Sequence, residues 1–218
     1  MKNIPRLFIN QKLWTGLKTP VDKDTFHYIH HVMRRNNCLC FNNGDEYAAV
    51  LSTDGKQLII GNKTAHTDPS NDITLYFAPI KRLDDLLSMA TQMGVKALQP
   101  VITERVTVKH INWNRMQKII IESAEQSNRN SVPEILPEKK FTDLDLSEMV
   151  FADERAAYGK EMPKSIHGTK KILVGPEGGF SESEFSVLDS AGVQGISLGK
   201  TILRAELAAA IAISRITE

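Results

Sequence analysis

Two hydrophobic periodicities meet near Asp72, and the change from one to the other constrains the fold more tightly than any other feature of the chain. Before that point the runs 39–41, 47–52 and 57–60 are short and apolar, and the dipeptides Asn43-Gly44 and Asp54-Gly55 separate them. Such dipeptides supply positive φ at little steric cost, which a tight hairpin matching strand twist requires. The stretch therefore reads as a β-meander able to close into a small barrel, with one short helix between residues 24 and 35. The segment 62–72 is polar and turn-forming, with Thr64, Thr67, Asp68, Pro69, Ser70 and Asn71 in close succession. It predicts a boundary between a domain 1–70 and a domain 71–218.

After the boundary the pattern is strand, then helix. Residues 73–78 read as a buried strand, and Leu83, Leu86, Leu87, Ala90 and Met93 then recur at helical spacing until Gly94. A strand at 97–102 precedes a helix over 112–127, in which Met116, Ile119, Ile120 and Ala124 share a face. Short strands follow at 149–152, 171–174 and 193–198, and an alanine-rich helix closes the chain at 203–216. Ser181 and Glu184 have capping-box spacing for a helix between the last two strands. Strands alternating with helices predict an α/β domain with a mostly parallel sheet covered on both faces.

Composition removes several classes. With 41% hydrophobic and 24% charged residues the chain is neither disordered nor collagen-like. A formal net charge of +1 excludes a wholly basic protein but leaves room for a local basic face. No stretch approaches the roughly 20 apolar residues that span a bilayer, and the start lacks a signal-peptide apolar run, so a cytoplasmic protein without membrane contact is expected. Cys38 and Cys40 are too close for a relaxed disulfide, which fits a reducing compartment. His27 and His31, one helical turn apart, suggest a metal site with them. Cys-x-Cys is tighter than zinc spacing, however, and no metal is expected.

Two blocks carry candidate chemistry. In the first, the strand Ile172-Leu173-Val174 runs into Gly175-Pro176-Glu177-Gly178-Gly179-Phe180 and then the capped helix. Glycines at the carboxyl end of a buried strand let a ligand touch the backbone, and open α/β sheets bind ligands at that edge. The glycine spacing fits neither a dinucleotide fingerprint nor a phosphate-cradling loop, which disfavours a nucleotide-dependent oxidoreductase. A tight strand-to-helix turn with no ligand explains the same residues. In the second block, Leu198-Gly199 ends a strand before Ile202-Leu203-Arg204 and Glu206 open a helix. Two such loops on neighbouring strands form a crevice; a surface ion pair between Arg204 and Glu206 is the plainer alternative.

Together these blocks closely resemble the 16S ribosomal RNA (uracil-N3)-methyltransferase family of the SPOUT superfamily. Glu104-Arg105, Glu125-Gln126, Arg129 and Val132-Pro133-Glu134-Ile135 fall in that family's order, and the likeness runs over most of the chain. The resemblance implies a trefoil-knotted, parallel-sheet methyltransferase domain preceded by a small PUA-like, RNA-binding β-barrel. It also implies a homodimer acting on 16S rRNA or the small ribosomal subunit. S-adenosylmethionine is expected at Leu173, Gly175, Pro176, Glu177, Gly178, Gly179, Leu198, Gly199, Ile202 and Leu203, largely through backbone groups. Arg204 and Glu206 are the expected catalytic residues, Arg204 stabilising the uracil anion and Glu206 orienting it or accepting a proton.

RNA contacts have a local signal as well. Between Val101 and Lys118 the basic residues Arg105, Lys109, Arg115 and Lys118 face Glu104 alone, and His31, Arg34 and Arg35 form a second cluster. A solvated helix face would look the same. With the resemblance, His31, Arg34, Arg35, Arg105, Lys109 and Arg129 are the expected RNA-binding residues. The chain also departs from the family: Met89 and Gln92 replace a Lys and a Glu, Leu207 replaces a Thr, and the loop between Arg35 and Cys38 is shorter. Those departures keep open a second class of function, a non-catalytic RNA-binding assembly factor on a methyltransferase scaffold.

Overall fold

The computed structural model describes residues 4–108 and 110–217. Packing divides the chain into two units, one running to Ser70 and taking in Ile121–Val132, the other comprising Asn71–Ile120 and the chain from Pro133 onward. Among the described residues no helix is long and apolar enough to cross a membrane.

In the first unit Asn43 and Gly44 adopt φ of 50° and 84°, so the expected hairpin turn forms as its chemistry requires. The strands are β1 (Arg6–Phe8), β2 (Lys18–Pro20), β3 (Asn37–Asn42), β4 (Asp45–Leu51) and β5 (Gln57–Thr67), ordered β1-β3-β4-β5-β2. All pairings are antiparallel except β1 with β3. Helix α1 (Lys23–Phe26), capped by the Asp22 side chain, continues as a π-helical stretch, His27–Val32. Strand β5 runs through half of the segment expected to be a turn, because Thr67 pairs with Asp45 and Lys63 with Tyr47. Cross-strand partners outweigh the local preference of polar residues for turns. Cys38 and Cys40 project to one side of β3 and pack with Leu7, Ile29, Leu58 and Ile60 in the core, as small apolar residues do.

The segment 121–132 is tied to this unit by a buried polar network. Arg6 is 8% exposed; it pairs with Glu46 at 3.1 Å, donates to the carbonyls of Ala124 and Arg129 at 3.2 Å, and bonds the Asn130 side chain. A buried guanidinium needs this many acceptors to offset its lost hydration.

The second unit contains β6 (Thr74–Phe77), α2 (Leu83–Gln92), β7 (Ala97–Ile102), α3 (Trp113–Gln126), β8 (Glu134–Ile135), β9 (Lys139–Lys140), β10 (Met149–Ala152), β11 (Lys171–Val174), α4 (Glu182–Ser190), β12 (Gln194–Ile196) and α5 (Ala205–Thr217). The last turns of α3 belong to the first unit. The strand order is β12-β10-β11-β6-β7-β8, with β9 also on β7, and every pairing is parallel. Helix α2 packs against α5, while Phe185 and Leu188 of α4 join Phe151, Leu173 and Phe180 in a buried aromatic cluster. The expected capping box is complete: Ser181 Oγ accepts from Glu184 N at 3.2 Å, and a Glu184 carboxylate oxygen accepts from Ser181 N at 2.9 Å.

One expectation fails in a way that matters. The loops after β11 and β12 do not come from neighbouring strands, because β10 lies between them. Whatever follows β10 must therefore share their edge of the sheet.

Candidate active site

A cavity of about 710 Å³ opens at the carboxyl ends of the parallel strands of the second unit. Gly175–Gly179, Leu198, Gly199, Ile202, Leu203, Arg204 and Glu206 all line it. Leu173 does not: its side chain is wholly buried in the aromatic cluster. Crossover helices leave this edge of a parallel sheet open, and ligands bind there.

The loop after β11 is held from three sides. Glu177 Oε1 accepts from Lys81 N at 2.8 Å, the Arg105 guanidinium donates to the Gly178 carbonyl at 3.1 Å, and Glu154 Oε1 accepts from Phe180 N at 3.3 Å. Of the two adjacent glycines only Gly179 has positive φ, at 68°, and a Cβ there would overlap the Glu154 carboxylate. Burial pushes the Glu154 carboxyl above the usual carboxylate range, partly countered by backbone hydrogen bonds. Arg105, expected to meet RNA, is thus a strut of this loop as well as part of the cavity wall.

The turn after β10 was not singled out from the sequence. Asp153, 2% exposed, caps a 3₁₀ turn, Glu154–Tyr158, that Gly159 ends in the left-handed region. Arg155 Nη2 reaches Asp153 Oδ2 at 2.7 Å, its Nη1 reaches Asp189 Oδ2 at 2.7 Å, and its guanidinium lies 4.0 Å above the Phe185 ring centroid. That contact with Arg155 holds the Asp189 carboxyl down at about 2. The signal that finds this turn is three consecutive charged residues directly after a fully apolar strand, Met149–Ala152.

At the start of α5 the Arg204–Glu206 pair does not form. Glu206, 6% exposed, takes Arg82 Nη1 on Oε1 at 3.2 Å, and Arg82 also holds Asp85 at 2.8 Å. Residues two apart on a helix do not face each other, whereas Arg82 opens α2, which packs against α5. The Arg204 guanidinium is exposed and has no hydrogen bond or ion pair among the described residues. Arg82 also lines the cavity; its signal in the sequence was weak, a basic residue opening an amphipathic helix.

The other expected RNA contacts divide. In the first unit His31 and Arg34 are exposed, Arg35 is half-buried, and the rings of Phe26, His27, His30 and His31 cluster with centroids 5.0 to 5.8 Å apart, Phe26 stacked on His30 and the other pairs tilted or edge-on. Arg129 is committed inward, to Asp68 at 2.9 Å, which leaves it little charge for phosphate. Lys109 lies outside the described residues. No cluster of three or more His, Cys, Asp or Glu side chains able to hold a metal occurs among the described residues.

The sequence profile of the RNA methyltransferase domain family matches residues 67–217. The chain belongs to that family. Among family relatives, ribosomal RNA small subunit methyltransferase E of Rickettsia conorii is 33% identical over 233 residues, covering 97% of this chain and 94% of that one. A crystal structure of ribosomal RNA small subunit methyltransferase E from Neisseria gonorrhoeae, bound to S-adenosyl methionine, superposes with a TM-score of 0.80 at 31% identity. It covers 97% of this chain and 96% of its own. A putative methyltransferase from Legionella pneumophila shares the fold at TM-score 0.79 and 22% identity. Met89, Gln92 and Leu207, the positions that the resemblance marks as departures, are not among the residues lining the cavity.

Proposed function

We propose that the chain transfers a methyl group from S-adenosylmethionine to N3 of a uridine in 16S rRNA. The observation that carries this reading is Arg204, a guanidinium without a partner among the described residues, on the wall of a cavity framed by two glycine-ended loops. The residues fit the cofactor: backbone amides and carbonyls of Gly175–Gly179 and Leu198–Gly199 can read an adenine edge. Ile202, 58% exposed, and Leu203 offer apolar surface, and the Glu154 carboxyl lies on the wall available to a cation. S-adenosylmethionine supplies an electrophilic methyl carried on a sulfonium.

N3 of neutral uracil bears a proton and must lose it before the methyl can be accepted. Arg204 stabilises the charge that develops on the ring oxygens as this proton leaves, an effect that grows as the bound cofactor and base displace water from the cavity. Glu206, paired with Arg82 at the start of α5, orients the segment that carries Arg204 or helps to accept the proton. His31, Arg34 and Arg35 neutralise RNA phosphates from the first unit, which serves as a PUA-like barrel, and Arg105 does so at the cavity. The active form is a homodimer with a knotted methyltransferase domain, working in the cytoplasm.

Tritium transfer from labelled S-adenosylmethionine to small subunits lacking the modification tests the reading. Mass mapping should place the label on one uridine N3. Binding of RNA and cofactor with no transfer would favour the non-catalytic assembly factor instead.

A further inference from the structure

Tyr158 is the most exposed large apolar side chain described, at 80%, yet it stands on the cavity wall rather than on an outer loop. Its phenol has no hydrogen bond among the described residues. An aromatic ring left in water forgoes the burial that usually fixes such a side chain. Mobility does not explain it, because the turn that carries it is fastened at the root: Asp153 is buried, Arg155 is bound to Asp153 and Asp189, and Glu154 is bonded to the Phe180 amide. The ring is an exposed flat surface on a rigid mount, in the cavity that also holds the unspent charge of Arg204.

We infer that Tyr158 is the stacking platform for the target uracil. This rests on the function proposed above and adds the group that receives the base. A base cannot be methylated at N3 while paired, since N3 lies on the pairing edge, so it must be turned out of its helix into the cavity. Extrusion costs the base its stacking partners, and an aromatic face returns that interaction without regard to sequence. Tyr158 then holds the plane of the ring while Arg204 addresses its oxygens.

The test uses the full chain and small-subunit RNA from cells lacking the modification. Tyr158→Ala should lower kcat/KM for RNA by about 5- to 150-fold, the worth of one base–aromatic stack, chiefly through KM, with cofactor affinity by calorimetry unchanged. Tyr158→Phe, which keeps the ring and loses only the hydroxyl, should restore near-normal kcat/KM. Independently of turnover, 16S RNA transcribed with 5-iodouridine should crosslink under long-wavelength light to the tryptic peptide of residues 156–160, which contains Tyr158. If wild type transfers methyl groups but Tyr158→Ala is unimpaired and the crosslink maps elsewhere, the platform is wrong and the proposed function stands. If wild type transfers nothing, the proposed function fails first. Weaker cofactor binding by Tyr158→Ala, or a shifted oligomeric state, with RNA kinetics intact, would assign the ring to the cofactor or to a second copy of the chain and overturn the inference.

Discussion

Between β11 and α4, three separate groups hold the backbone: the Glu177 carboxylate on the Lys81 amide, Arg105 on the Gly178 carbonyl, and Glu154 on the Phe180 amide. Between β12 and α5, the one side-chain hydrogen bond among the described residues runs from Gly199 N to Ser197 Oγ, at 3.3 Å. There Ile202 is 58% exposed and Arg204 has no partner among the described residues. Both loops end a strand in glycine and line one cavity, yet one is spent on its own structure and the other is not. A receptor for a cofactor gains affinity from a loop already in place. A group meant to meet charge that exists only during reaction must have no earlier commitment. Under the proposed function, the difference fits shape to the first loop and chemistry to the second.

The sharpest way to break that contrast is to remove the uncommitted charge. Arg204→Ala should slow single-turnover methyl transfer by about two to three orders of magnitude while folding and cofactor affinity hold, and Arg204→Lys should recover only part of the loss. A rate within a few-fold of wild type would move the chemistry out of the second loop. The converse is to untie the first loop. Glu154→Ala strands the Phe180 amide beside a side chain 1% exposed, at a cost of about 1–3 kcal/mol in stability. Calorimetry should show cofactor affinity falling about tenfold, roughly 1.4 kcal/mol. Glu154→Gln keeps an acceptor and should restore both.

A smaller effect separates charge from shape at the same residue. Burial raises the Glu154 carboxyl above its ordinary 4.5, so the native state holds that proton more tightly than the unfolded chain does. This residue's contribution to stability therefore declines as pH climbs from 4.5 through the folded value, and urea midpoints of Glu154→Gln should lack that part of the slope. Smallest is the anchor of the intervening turn. Asp189 is held at about 2 against an ordinary 3.8, so its pairing with Arg155 contributes fully above 3.8 and is lost as pH falls toward 2. The Asp189 side chain is 48% exposed, so Asp189→Asn should cost less than about 1 kcal/mol at neutral pH, read by thermal melting.

Much of this arrangement could be read from the sequence, for a physical reason. Strands β7, β10 and β11 were expected at their observed bounds because a parallel strand buried on both faces must be a continuous apolar run. β8 and β9, two residues each, are too short for any periodicity, and β1 and β2 differ from loop only through their partners. The site divides along the same line. Gly175, Gly199, Arg204 and Glu206 belong to local motifs, and all four line the cavity. Arg82, Glu154 and Tyr158 join them through strand order, and no local pattern states that β10 lies between β11 and β12. Nearness in sequence suggests Arg204 as a partner for Glu206. Its actual partner is 124 residues away.

Arg6 imposes an order of events on the newborn chain. Its acceptors at Ala124 and Asn130 lie 118 and 124 residues downstream, so at ordinary elongation rates it waits roughly 6 to 25 seconds for them to be made. During that interval its guanidinium keeps its water, and the β-rich unit is unfinished although nearly all of its strands have left the ribosome. Among the residues synthesised meanwhile, 71–120 are the first strands and helices of the other unit. Neither unit is therefore an appendage added to a finished one. A cut or a graft at Ser70 would separate a buried cation from most of the oxygens that solvate it.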